Sequence, residues 1–342
     1  MNTINYFLLF IVIILFSCHN NNKSSPPGET PEFLSTEGYA LGTSYHIKYE
    51  NTNKTDLSKD IAELLDGFEN SLSTFRPNSI ISLINQNNTS VIPDKYFTEC
   101  FNKAQEVSEK VNGAFDITVA PLVNIWGFGF TEKTEVDESK IQDLLKYVGY
   151  KKIRLENNKI IKDDPSVMLD ASAIAKGQSV DVVCEFFDSL GIVNYMVEIG
   201  GEVRAKGYKQ NSQNWIIGID KPIDNSDETY RELEAMVKLE NMALATSGNY
   251  RRFYEIGGIR YSHTINPSTG YPVNHTLLSA TVLSKDCITA DAYATAFMVL
   301  GLDESLKIVN NNPDIEAYFI SAGNDNNYKV DYSEGFKKLL LE

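Results

Sequence analysis

The chain has 342 residues, 42% of them hydrophobic and 23% charged, which suits a globular protein with a sizeable core and excludes long-range disorder. Acidic residues outnumber basic ones 46 to 31, for a formal charge of −15. Such a surface repels phosphate backbones and argues against broad nucleic-acid binding, so a small phosphorylated ligand would need local neutralisation.

In chain order, the first signal is the N-terminus. Residues Met1 to Cys18 carry no charged side chain, and Tyr6 to Phe16 form an apolar run of 11. That run is too short to span a bilayer as a helix but has the length of a secretion-signal core. Leu15-Phe16-Ser17-Cys18, followed by an abruptly polar stretch, resembles the lipobox of bacterial lipoproteins. The resemblance implies cleavage before Cys18, a lipid on its sulfur, and a protein anchored in the cell envelope facing the periplasm. An ordinary cleaved signal peptide or an anchor helix is the alternative, and no Lys or Arg precedes the apolar run. Residues 1–18 are therefore expected to be the signal, 19–35 a flexible Asn/Ser/Pro-rich tether, and 36–342 the folded unit. Cys100, Cys184 and Cys287 then remain, an odd set without CxxC spacing, and read as buried unpaired thiols.

Gly38 to Tyr49 alternates as a first strand, and Asp56 to Leu72 has apolar residues at helical spacing. A second helix is expected over about Asp94–Val111, stopped at Gly113. Thr131 to Lys162 is polar and reads as a small subdomain or an insertion. Strands are expected over Lys152–Leu155, Lys159–Ile161, Tyr195–Ile199, Glu202–Gly207, Trp215–Ile219 and Ile259–Tyr261. Val180, Val183, Cys184, Phe187 and Leu190 mark an apolar helical face closed by Gly191. Gly200-Gly201 and Gly257-Gly258 read as hairpin turns. A helix over about Ala290–Leu300 and a hairpin over Ile315–Val330 complete the chain. Strands and helices mix without regular βαβ alternation, which favours an α+β fold.

The usual nucleotide signatures GxxxxGK[ST] and GxGxxG are missing, as is HExxH, and only four histidines occur. Four polar clusters set among small residues stand out instead. Asp170-Ala171-Ser172-Ala173-Ile174-Ala175-Lys176-Gly177 leads into a helix; small side chains allow close approach of a ligand, helix amides suit phosphate, and Lys176 adds positive charge. Read alone, it is equally an ordinary strand-to-helix turn with Asp170 as a cap. Asp291 and Thr295, four apart in Thr289-Ala290-Asp291-Ala292-Tyr293-Ala294-Thr295, share one helix face and offer oxygens to a hard cation such as Mg2+. Alternatively, they are a dipole-favoured carboxylate and a threonine bonded to its own backbone. His263, at a strand end before the turn-rich Asn266-Pro267-Ser268-Thr269-Gly270, could serve as a general base or be a structural histidine. Asn112 to Val123 with Trp126-Gly127-Phe128-Gly129 could flank a flat ring or be plain core.

Together, and in this order, the segments resemble the ApbE family, the FAD:protein FMN transferases. The resemblance runs through LGTSYHIKY, LSTFRPNSIISLIN, GAFDITVAPLVNIWGFG, LDASAIAKGQSVD, VEIGGEVRAKG, ALATSGNYRR, HTINPSTGYPV and TADAYATAFMVLG, about Gly38 to Gly301. It implies a single α+β catalytic unit of mixed sheets and packed helices, related to the T-fold. FAD is then the substrate and Mg2+ the cofactor, and the FMN half moves onto a Thr or Ser of a target protein with release of AMP. By motif position, Asp291, Thr295 and the main chain of Ala173 are the implied magnesium ligands. Leu41, Phe75, Ala114, Phe115, Asp116, Asp170, Lys176 and Ile265 are the implied FAD contacts, and His263 resembles the base for the acceptor hydroxyl. Two departures are Asn266, where many members have Asp before the proline, and Phe75 at a position that is often tyrosine. The family's acceptor signature, Asp-Gly-x-Ser/Thr-Gly-Ala-Ser/Thr, does not occur here, so the implied target is a partner protein. The alternatives are a Mg2+-dependent FAD pyrophosphatase with water in place of the hydroxyl, and a flavin-binding lipoprotein without chemistry.

Overall fold

The computed structural model describes residues 32–51, 54–130, 136–223, 232–250, 253–256, 259–323 and 327–341. Cys18, the signal, most of the tether and the Gly257-Gly258 pair lie outside them. The described elements in chain order are β1 (Phe33–Ala40), β2 (Thr43–Glu50), α1 (Ser58–Leu72), α2 (Ile80–Asn85), α3 (Lys95–Lys110), α4 (Ala120–Ile125) and α5 (Glu138–Leu145). Then come β3 (Ile153–Glu156), β4 (Lys159–Lys162), α6 (Ala175–Ser189), β5 (Tyr195–Ile199), β6 (Glu202–Lys206), β7 (Trp215–Asp220), β8 (Leu233–Leu239) and β9 (Met242–Gly248). The chain finishes with β10 (Phe253–Ile256), β11 (Ile259–Ser262), β12 (Leu277–Ser284), α7 (Cys287–Leu300), α8 (Leu302–Asn310), β13 (Ile315–Ala322), β14 (Tyr328–Tyr332) and α9 (Glu334–Lys337).

An eight-stranded sheet in the order β1-β2-β5-β6-β9-β12-β13-β14 is antiparallel at every pairing. Period-two alternation sends side chains to opposite faces. On one face Tyr195, Val197 and Ile199 of β5 pack with Val183 and Phe187 of α6, and Val282 and Phe319 pack with Phe297 of α7. On the other, Leu244, Leu283, Tyr318 and Ile320 meet Trp215, Ile219 and Val237 of the β7–β8 ribbon. Each fully buried large apolar side chain contributes about 1.5–3 kcal/mol. The fold is α+β, as expected.

The single strand expected over Gly38–Tyr49 is instead a hairpin. It breaks at Leu41-Gly42, where φ is 51° and 72°, the left-handed pair that a tight two-residue β-turn demands. A leucine rarely adopts that conformation; here its N–H donates to Glu69 Oε1 at 3.1 Å. Helix α7 starts three residues ahead of the expected Ala290, because the Asp286 side chain accepts from Thr289 N–H and caps it there. It is buried nearly all round, so it lacks the amphipathic stripe of a surface helix. Cys100, Cys184 and Cys287 are buried free thiols.

Candidate active site

The centre of the candidate site is the crossing of α6 and α7. Before α6, the loop 170–174 is pinned by Asp170, whose N–H donates to the Ile117 carbonyl at 2.8 Å and whose carboxylate accepts from Ser172 N–H at 2.8 Å. Asp170 is thus part of a turn and not the cap of α6, which has no side-chain cap. Gly177, in the first turn of α6, donates its N–H to Asp291 Oδ2 on α7 at 2.9 Å. Only glycine fits there: a β-carbon would lie 2.3 Å from the Cys287 carbonyl oxygen and 2.7 Å from Asp291 Cβ. The contact sets Asp291 against the first turn of α6. Thr295, one turn further along α7, has its hydroxyl 3.2 Å from that of Ser247 on β9.

Beside this junction, Lys176 Nζ pairs with Glu202 Oε1 at 2.6 Å. Burial pulls the lysine pKa down, but the attraction of Glu202 and Asp291 outweighs it and leaves the pKa raised. The carboxyls of Glu202 and Asp291 are raised chiefly by burial, with Lys176 opposing. Lys176 therefore brings no surplus positive charge, in contrast to its sequence reading, because Glu202 already matches it. The sequence reading does not single out Glu202; its signal is an acidic residue directly after a Gly-Gly turn, at the start of a strand.

Glu202 Oε2 is buried and has no hydrogen-bond partner, and two carboxylates face one ammonium. A cation fits that imbalance. Among the described residues no group of three or more His, Cys, Asp or Glu side chains gathers as a metal cluster. Asp291 and Thr295 offer a carboxylate and a hydroxyl from one helix, hard oxygens of the kind that Mg2+ takes alongside water and phosphate.

Two further groups flank the centre. Glu69 accepts from Leu41 N–H with one oxygen and binds Arg76 Nη2 at 2.6 Å with the other, tying the β1–β2 turn to the loop that carries Phe75. The Phe75 ring is 76% exposed, an open apolar surface at this rim. Gly200 joins the same side: a β-carbon there would meet Thr43 Cγ2 at 2.6 Å and Lys176 Cδ at 3.3 Å.

Ala114, Phe115 and Asp116 lie between α3 and α4, and His263 and Ile265 follow β11. The Phe115 ring is buried in the main core. Both Asp116 oxygens are engaged, one by the N–H and hydroxyl of Thr118 and the other by Tyr150 N–H at 2.6 Å. Burial nevertheless raises the Asp116 pKa. What these two residues leave for a ligand is main chain. Ala114 lines a cavity of about 340 Å³ together with Asn112, Asn266, Ser268 and Val299. Ile265 packs with Trp126, whose indole N–H donates to the Gly270 carbonyl at 2.8 Å and closes the 263–273 loop. The His263 ring meets Phe128 edge-on at 6.3 Å between centroids.

The sequence profile of the ApbE family matches residues 41–319. A FAD:protein FMN transferase of Haemophilus influenzae is 37% identical over 320 residues, covering 90% of this chain and 91% of the relative. Among solved structures, the flavin transferase ApbE from Vibrio cholerae superposes with a TM-score of 0.81 at 36% identity, over 90% of this chain and 99% of that one. The apo flavinyl transferase ApbE of Pseudomonas stutzeri gives a TM-score of 0.80 at 28% identity, over 91% and 98%.

Proposed function

The chain belongs to the ApbE family and is a flavin transferase that uses FAD, and we propose that it works with Mg2+ held by Asp291, Thr295 and the carbonyl of Ala173. The observation that carries this reading is the Gly177–Asp291 hydrogen bond, which joins the Lys176 segment and the Asp291–Thr295 helix in one buried, under-neutralised polar cluster. When bound, Mg2+ supplies the positive charge that a pyrophosphate and the leaving AMP require.

The chain's own residues do the rest. Lys176, oriented by Glu202, contacts FAD, together with Asp170, Ala114, Phe115, Asp116 and Ile265. Leu41 and Phe75 hold the flavin side at the rim. His263 takes the proton from a Thr or Ser hydroxyl of the acceptor protein; the hydroxyl oxygen bonds to the FMN phosphorus, and the bond to the AMP phosphate breaks. The acceptor carries a site of the Asp-Gly-x-Ser/Thr-Gly-Ala-Ser/Thr type. Residues 1–18 act as a lipoprotein signal, and Cys18, outside the described residues, carries a lipid that holds residues 36–342 at the membrane on the periplasmic side.

The test is the intact mass of a small acceptor domain bearing that signature, incubated with FAD and the protein lacking residues 1–18, with Mg2+ or with EDTA. A Mg2+-dependent gain equal to FMN minus water is expected. Free FMN and AMP with an unlabelled acceptor would overturn the assigned acceptor chemistry in favour of hydrolysis by water.

A further inference from the structure

Helices α6 and α7 hold each other by two reciprocal carboxylate-to-backbone links, one turn apart. In the first, Asp291 of α7 accepts from Gly177 N–H of α6. In the second, Asp181 of α6 accepts from the first amides of α7: Oδ1 from Cys287 N–H at 2.9 Å and Oδ2 from Ile288 N–H at 2.8 Å. Asp181 is itself buried and fixed by Arg204 Nη1 from β6 at 2.6 Å. Asp286 already caps α7 within its own chain segment, at Thr289 N–H. Asp181 therefore does something the local cap does not: it ties the start of α7 to a neighbouring helix, and through Arg204 to the central sheet. Gly177 and Asp181 are four residues apart on α6, as are Cys287 and Asp291 on α7, so each link fixes one corner of the same interhelical contact.

We propose that Asp181 is a positioning residue for the metal site, setting where Asp291 stands by locking the first turn of α7 onto α6 and β6. The proposal rests on the assignment of Asp291 as a Mg2+ ligand. It follows from geometry: Asp291 lies one turn from the clasped amides, and the glycine contact leaves no slack between the helices. With the clasp loosened, the helix keeps its own cap and stays folded, but its carboxylate drifts from the position that the Ala173 and Thr295 oxygens require.

The experiment measures binding of Mn2+ alone, followed as loss of the free-ion paramagnetic resonance signal, in four proteins: wild type, Asp181→Asn, Asp286→Ala and Asp291→Ala. Circular dichroism checks that each is folded. Asp181→Asn is expected to bind Mn2+ at least tenfold more weakly. Asp286→Ala, which removes the local cap, should melt at a lower temperature yet bind within twofold of wild type. Asp291→Ala should lose binding. A folded Asp181→Asn protein with wild-type affinity overturns the proposal alone, and so does an Asp286→Ala protein weakened as much as Asp181→Asn. Wild-type affinity in Asp291→Ala overturns the metal assignment itself and the proposal with it. If Asp181→Asn fails to fold, Asp181→Glu takes its place; it keeps the charge opposite Arg204 but shifts the carboxylate by one methylene. A threefold or greater weakening is then expected, and unchanged affinity overturns the proposal.

Discussion

Replacing Gly177 by alanine tests the α6–α7 contact most directly. The new methyl group would stand 2.3 Å from the Cys287 carbonyl oxygen, against an ordinary contact of 3.4–4 Å. Since the obstacle is helix backbone and not the end of a flexible side chain, the helices must part by about 1 Å or the methyl must stay compressed, at a cost of about 1–3 kcal/mol. The same separation stretches the 2.9 Å bond from Gly177 N–H to Asp291, a bond to a charged acceptor worth about 1.5–3 kcal/mol. Alanine returns up to about 1 kcal/mol through its better helix propensity. The net loss is about 3 kcal/mol, which for a domain of this size lowers Tm by about 5 °C. A displacement of about 1 Å at a reacting group also costs about a hundredfold in rate. Thermal unfolding, and the Mg2+ dependence of acceptor labelling, read the two effects separately. A Gly177→Ala protein that melts at or above the wild-type temperature with unchanged Mg2+ dependence would show that the α6–α7 contact has room for a methyl group.

Burial pushes the Asp181 carboxyl up to about 6, with Arg204 and the Cys287 and Ile288 amides opposing. The folded state therefore holds this proton more tightly than the unfolded chain; the stabilisation is fully present below about pH 4 and is lost as pH rises through about 6, by about 3 kcal/mol. Urea unfolding with EDTA present should give higher stability at pH 5 than at pH 7.5, and the opposite order would contradict the assignment. Glu202→Gln leaves the Lys176 ammonium without its buried partner; because a third of that lysine side chain is exposed, the cost should be about 2 kcal/mol, below that of breaking a fully buried pair. Its Tm should fall and, with the Lys176 charge no longer matched, its affinity for the anionic FAD should rise, while an unchanged FAD affinity would detach Lys176 from the substrate. His263→Gln should retain FAD binding, measured by fluorescence quenching, yet lose acceptor labelling by at least about a hundredfold, the scale of a general base; near-wild-type labelling removes His263 from that role.

Much of the fold was legible because local patterns carried it. Helix α3 lies within one residue of its expected ends, since Asp94 supplies a cap and the apolar spacing is regular. Strands β5, β6 and β7 stand where alternation and the Gly200-Gly201 turn put them. The central strands β9 and β12 were not expected. Both are sandwiched between helices on one face and the β7–β8 ribbon on the other, so their sequences, MALATSG and LLSATVLS, show no alternation to read. The polar Thr131–Lys162 stretch holds α5, β3 and β4, and Ile141 and Ile153 each join a core cluster, which the charge-rich composition hid.

For the candidate site, local sequence features set the chemistry on offer. They supply the carboxylate and hydroxyl at helical spacing in Asp291 and Thr295, the small residues around Lys176, and the order of motifs that marks the family. Which of those groups are available depends on the packing of distant elements. It pairs Lys176 with Glu202 across 26 positions, joins Gly177 to Asp291 across 114, and sets Ser247 against Thr295 across 48. It also commits both oxygens of Asp116 to Thr118 and Tyr150. The reason is physical: periodicity and capping act over a few residues, whereas the charge balance of a buried site depends on which distant strands and helices the packed core brings within hydrogen-bond distance.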